Sequence, residues 1–178
     1  MPQDMTDAPA FSGDADLNPH YRWDRAIPAP GHSAVDFEQR VDFARLHKYR
    51  LARAQEALAN SDLGAILCFD NNNIRYLTST VIGEWSRDKV ARYAMLMGDQ
   101  DPHLWDFGSA AAHHRLHAPW LPTDNCHAGM LGLRGTVPPA AGLMDSAAKE
   151  IKQMLDNNGM GDMPLGVDIC EPPMLLAL

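Results

Sequence analysis

Three groups of side chains in this sequence have the types and the spacing to do chemistry. His113 and His117, in the run His113-His114-Arg115-Leu116-His117, stand at i and i+4, so a helix would put both imidazoles on one face, within reach of a single metal ion. No Glu accompanies them in an H-E-x-x-H arrangement and no third ligand can be identified, so a solvated or interface helix is the competing reading. Asp99, Asp101 and Asp106 form a second group, of the kind that paired metal ions require. Asp99 and Asp101, however, flank a Pro turn and read as the polar residues of a hairpin. The third group is Trp85 with Arg87, a large aromatic and a fixed cation on one loop, which together could grip an anionic or zwitterionic ligand. An exposed loop Trp serves equally well as an oligomer contact. Cys68, Cys126 and Cys170 are odd in number and widely spaced, which suits small buried hydrophobes in a reducing compartment better than a disulfide framework or a zinc site. A glycine-rich phosphate loop, a G-x-S-x-G elbow and a paired-Cys site are all missing from the sequence.

The elements that must hold these groups follow from pattern. Asp36 to about Asn60 is rich in Ala, Leu, Arg, Gln and Glu without Gly or Pro, and predicts a helix with Ser33 or Asp36 as its cap. Leu51, Ala54 and Leu58 would face a core, and Arg45, Arg50 and Arg53 solvent. Ala65 to Phe69 is apolar at every position, a strand expected to be buried on both faces. Asn71, Asn72 and Asn73 suit a turn or an N-cap before a short segment with Ile74, Tyr76 and Leu77. Arg92 to Met97 and His103 to Phe107, joined through Gly98 to Pro102, predict an antiparallel hairpin. Gly108 to His117 reads as a short helix with Ser109 as a possible cap, and Pro119 to Pro139 as irregular. Asp145 to Asn157 predicts an amphipathic helix with Ala148, Ile151 and Leu155 on one face, followed by a strand, Leu165 to Ile169. A last helix starts at Glu171-Pro172-Pro173. Helix, buried strand, hairpin, helix and strand together predict an α/β fold, a mixed β-sheet flanked by helices over residues 36–178. The arm at 1–35 is irregular and Pro-rich, and Tyr21, Trp23 and Ile27 should lie against a surface.

With 178 residues the chain can bury one good core. A formal net charge of −8 with no run of basic residues argues against nucleic acid as a partner. Neither a membrane-spanning stretch nor a secretory leader is legible, so a soluble, cytoplasmic protein is expected. Leu175, Leu176 and Leu178 on a one-turn helix are an implausible end for an independent protein, and a fragment of a longer chain is expected.

The long helix, the strand and Asn turn in GAILCFDNNNIRYLTST, the loop with Trp85 and Arg87 and the hairpin together resemble the N-terminal domain of the creatinase and Xaa-Pro aminopeptidase (prolidase) family of "pita-bread" metalloenzymes. The likeness rests mainly on Asn73-Ile74-Arg75-Tyr76-Leu77-Thr78 and runs from about Phe43 to the end. That segment, with Leu104-Trp105-Asp106-Phe107, also looks like the dimethylsulfoniopropionate lyases of the same superfamily. The resemblance implies a ribonuclease-H-like N-terminal domain of a two-domain, homodimeric enzyme. A pair of divalent ions (Mn, Fe, Co or Zn) would be held by two Asp, one His and two Glu in a C-terminal domain that this chain lacks. It further implies that Trp85 and Arg87 present themselves to the neighbouring subunit's active site, holding a small zwitterionic or peptide-like substrate in trans rather than breaking bonds. Catalysis would fall to the chain's own C-terminal domain or to a separate catalytic chain, as peptidase, amidinohydrolase or lyase. The competing class is a stand-alone α/β interaction module without catalysis.

Overall fold

The computed structural model describes residues 42–81, 92–130 and 139–178. The Pro-rich arm and the loop carrying Trp85 and Arg87 lie outside the described residues. Helix α1 (Phe43–Ala59) is followed by strand β1 (Ala65–Cys68), helix α2 (Asn71–Thr78) and the hairpin strands β2 (Tyr93–Met97) and β3 (His103–Asp106). Helix α3 (Gly108–His117), strand β4 (Cys126–Ala128), helix α4 (Leu143–Asn157), strand β5 (Leu165–Val167) and helix α5 (Pro172–Ala177) complete the order. The strands form one mixed sheet in the order β4-β3-β2-β1-β5. Its inner pairs, β1 with β2 and β2 with β3, are antiparallel, whereas β5 and β4 add in parallel at the two edges. The protein is therefore α/β, as the pattern predicts.

The apolar run at β1 is explained by burial on both sides. Ala65, Leu67 and Phe69 pack with Tyr93, Met95, Met97 and Trp105 against Ala147, Ile151 and Leu155 of α4 and Met174 of α5. Cys68 and its face-mates Ala94, Leu96 and Leu104 pack instead against Leu58 of α1 and Ile74 and Leu77 of α2. Alternation along each strand sends successive side chains into the two cores. Every residue of β2 is buried, so this strand runs through the middle of the molecule.

Several boundaries differ from expectation, each for a local reason. Asp42 is not helical and α1 begins at Phe43. The stripe Leu51, Ala54, Leu58 extends one turn back to a buried His47. The Asn triplet does not cap α2 but forms its first turn. Asp70 is the cap, its side chain accepting a hydrogen bond from the Asn72 N–H at 2.8 Å. Ser109 does not cap α3 either, because Phe107 occupies that position without a side-chain bond. The stretch after Pro119 contains a short 3-10 turn (Thr123–Asn125) and β4, whose three residues pair with β3. Three residues carry too little periodicity to announce a strand.

β1 and β5 are parallel neighbours whose following helices, α2 and α5, pack on opposite faces of the sheet. Such a switch point is where α/β sheets commonly receive ligands. Here the crevice is filled by the chain's own Asp168. Its Oδ1 accepts from the backbone N–H groups of Phe69 (2.7 Å) and Ile169 (2.6 Å), and its Oδ2 from the Asp70 N–H (3.0 Å) and the Asn73 amide (2.9 Å). The carboxylate thus joins the ends of both strands and the first turn of α2. Asp168→Ala is expected to cost roughly 1–3 kcal/mol, because four donors lose a charged acceptor and only water replaces it. A urea titration checks this. An unchanged midpoint would mean that the strand ends are held by β-pairing alone.

Candidate functional site

The chemistry-bearing residues that the fold brings together sit where β2 and β3 end. Tyr93 pairs with Trp105 and Ala94 with Leu104, so one position further out Arg92 comes opposite Asp106, both on the α1–α2–α3 side of the sheet. Arg92 is 1% exposed and Asp106 0%. Arg92 Nε lies 3.1 Å from Asp106 Oδ2, an ion contact in which the N–H is not aligned on the oxygen. His114 Nε2 donates to the same Oδ2 at 2.9 Å, and the Phe107 N–H donates to Oδ1 at 2.9 Å. Burial works against the guanidinium's charge, and the Asp106 carboxylate supports it.

The network continues from the guanidinium. One terminal nitrogen of Arg92 donates to Asn71 Oδ1 at 3.1 Å, and the other donates to Thr80 Oγ1. Thr80 Oγ1 also lies 2.7 Å from Thr78 Oγ1, which donates in turn to the Ile74 carbonyl at 2.7 Å. Ser79 between the two threonines takes a left-handed backbone, φ 52°, and so turns the chain back past the end of α2. His47 Nδ1 meets Ser79 Oγ at 2.8 Å, and Trp120 Nε1 donates to the Thr78 carbonyl at 2.8 Å. Three helices and two strands therefore converge on Thr78–Thr80 and Arg92.

On the opposite face of the sheet Trp105 stacks between Tyr93 (ring centroids 5.0 Å apart) and His127 (4.7 Å), and its Nε1 donates to Glu150 Oε1 at 3.0 Å. His127 Nε2 lies 2.9 Å from His103 Nδ1, with the two rings inclined by only 13°. Since the centroids are 5.2 Å apart, the two nitrogens point at one another, the geometry of one shared proton rather than of two lone pairs converging on a metal ion. Burial, with His127 adding to it, lowers the His103 pKa to about 4, and burial lowers that of His127 as well.

Comparison with known proteins gives one informative match. No family model matches the chain. Over 129 residues it is 27% identical to the dimethylsulfoniopropionate lyase DddP of Roseovarius nubinhibens, a match that takes in 71% of this chain and 28% of that protein. This chain is similar to a dimethylsulfoniopropionate lyase. It spans about 28% of the length of the curated relative it matches.

The residues singled out by the sequence fare differently. His113 and His117 lie on the exposed side of α3 with ring centroids 4.4 Å apart, and the histidine that the fold buries is the one between them, His114. Asp106 is not a hairpin-surface residue like Asp99 and Asp101: its side chain points inward and carries the ion pair. The observed register, with Met95 opposite His103, is what sets Arg92 opposite Asp106, and the predicted hairpin, whose strands end at Met97 and begin at His103, does not specify it. Cys68 and Cys126 are buried free thiols, and burial pushes the Cys68 thiol up to about 12, which leaves it without nucleophilic character at neutral pH. Among the described residues no three His, Cys, Asp or Glu side chains converge as metal ligands, and no helix is long and apolar enough to cross a membrane. A concavity of about 380 Å³ beside the β1–β5 edge is lined mainly by apolar side chains such as Leu63, Ile66, Leu77 and Val167. Two of its polar residues, Asn73 and Asp168, are bonded to each other.

The histidine pair sets a pH dependence whose sign can be worked out. In the unfolded chain both imidazoles protonate near the ordinary value of 6.5, whereas in the folded protein His103 stays neutral down to about 4. The unfolded state therefore binds more protons between these limits, so this contribution is complete above pH 6.5 and is lost as the pH falls toward 4. Urea midpoints measured at pH 7.5 and 4.5 should differ less in His103→Gln than in the unaltered protein. Equal differences in the two proteins would show that the pair titrates normally.

Proposed function

We propose that this chain is the N-terminal, substrate-capping and dimerisation domain of a metal-dependent enzyme of the creatinase/prolidase type, on its dimethylsulfoniopropionate lyase side. The observation that carries the reading is the similarity to a lyase of which this chain matches 28% of the length, in a chain whose described part is a mixed α/β sheet. The divalent metal pair of such an enzyme would be held by residues outside this chain. The metal pair would supply Lewis-acid chemistry when bound. This chain's contribution is binding and orientation.

In this reading Trp85 and Arg87 hold the substrate from across a homodimer. An anionic carboxylate would pair with the guanidinium, and a cationic sulfonium or ammonium group would lie against the indole. Holding both ends of a small zwitterion fixes the bond to be broken relative to a base and a metal in the other subunit, which lowers the entropic part of the barrier. The likeness to a lyase favours elimination from a dimethylsulfonio carboxylate over hydrolysis of an Xaa-Pro bond.

In the full-length protein, Trp85→Ala and Arg87→Ala are each expected to lower kcat/KM for dimethylsulfoniopropionate by at least about tenfold with the metal content unchanged. The chain ending at Leu178 should neither release dimethyl sulfide nor hydrolyse an Xaa-Pro dipeptide. Turnover by residues 1–178 alone would refute the division of labour, and unaltered kinetics in both variants would return Trp85 and Arg87 to packing.

A further inference from the structure

The polar groups of the run His113-His114-Arg115-Leu116-His117 are put to different uses. His114 is buried and bonded to Asp106, and Arg115 Nε donates to the Cys126 carbonyl at 2.8 Å. His113 and His117 remain. Both are exposed, one turn apart on α3, and among the described residues neither makes a hydrogen bond or an ion pair. Their rings touch each other, with centroids 4.4 Å apart, and the His113 ring meets that of His114 edge-on at 5.9 Å. The backbone that carries the pair is held in place, because Ala110, Ala111 and His114 of the same helix are buried.

The separation of the two rings sets what they can hold. Turning an imidazole about its Cβ–Cγ bond redirects its nitrogens but leaves its centroid nearly in place. A metal ion about 2.0–2.1 Å from a ring nitrogen stands about 3.2 Å from that ring's centroid, so rings with centroids 4.4 Å apart subtend about 90° at a shared ion. A tetrahedral angle would need centroids about 5.2 Å apart. The spacing therefore suits neighbouring positions of a square-planar or octahedral ion, the geometry of copper(II) and nickel(II), better than tetrahedral zinc(II). We propose that His113 and His117 form a two-histidine chelate for one divalent transition-metal ion of the copper(II) or nickel(II) class on the exposed face of α3, with water filling the remaining positions. Once one imidazole has bound, the fixed helix holds the second at high effective concentration. The other histidine pair does not compete, because His103 and His127 point their nitrogens at one another. The proposal is independent of the reading of Trp85 and Arg87 given above.

Calorimetric titration of the untagged protein of residues 1–178 with nickel(II) chloride at neutral pH tests this. One ion should bind per chain. His113→Asn and His117→Asn should each weaken binding at least about tenfold, the loss expected when a chelate becomes a single ligand. Both side chains are exposed, so the urea midpoint of each variant in the absence of metal should match that of the unaltered protein, which separates lost binding from lost folding. His103→Gln should bind nickel(II) as the unaltered protein does. With copper(II), electron paramagnetic resonance should show coupling to two imidazole nitrogens, falling to one in either variant. A loss of less than about twofold in either variant, or a loss in His103→Gln as large as in His117→Asn, would place the ion elsewhere and overturn the proposal. Tighter binding of zinc(II) than of nickel(II) would overturn the assigned class of ion.

Discussion

The centre of this sheet has no solvent side, and most of the structure follows from that constraint. β2 is buried at every position, and β1 sends its residues alternately into two cores. A strand of this kind has to be covered twice, which requires helices on both faces and so an α/β layering. It also leaves no room for a polar residue that lacks a partner. Arg92 and Asp106 stand at the ends of β2 and β3 on the covered side, and each is tolerable there because the other is opposite.

The parts of the fold legible in the sequence are those whose signal is local. The all-apolar run of β1, the stripe of Leu51, Ala54 and Leu58 and the face of Ala148, Ile151 and Leu155 each announce an element and its buried side within a few turns of chain. The parts that were not legible depend on distant partners. Asp168 shows nothing in its own neighbourhood to indicate that it ties Phe69, Asp70 and Asn73, nearly a hundred residues away. β4 has three residues and exists because β3 offers it an edge. In the run from His113 to His117, spacing drew notice to the outer pair, whereas the fold uses His114, which is buried and reaches Asp106. Periodicity tells which face is apolar, but not that a polar residue has a buried partner waiting.

The same division applies to function. The candidate ligand-contacting residues Trp85 and Arg87 come from residue type and family resemblance, and neither geometry nor burial contributes to that choice. The network of Arg92, Asp106 and His114 was assigned from geometry alone. These are independent lines.

A register argument explains why the end of β2 should carry a charged pair. Shifting β2 by one residue against β3 would move every side chain of the strand to the other face, since the side-chain period is two. For Ala94, Met95, Leu96 and Met97 the exchange is small, because both faces are buried and apolar. Tyr93 would lose its stacking on Trp105 and its contact with Phe69. Arg92 would lose more: turned over, its guanidinium would enter the apolar cluster of Phe69 and Trp105, leaving Asp106 without it. An uncompensated buried charge on each side adds to the packing loss. Apolar residues that are buried on both faces select a register only weakly, and here the ion pair at the end of the strand does so, with the Tyr93–Trp105 stack beside it.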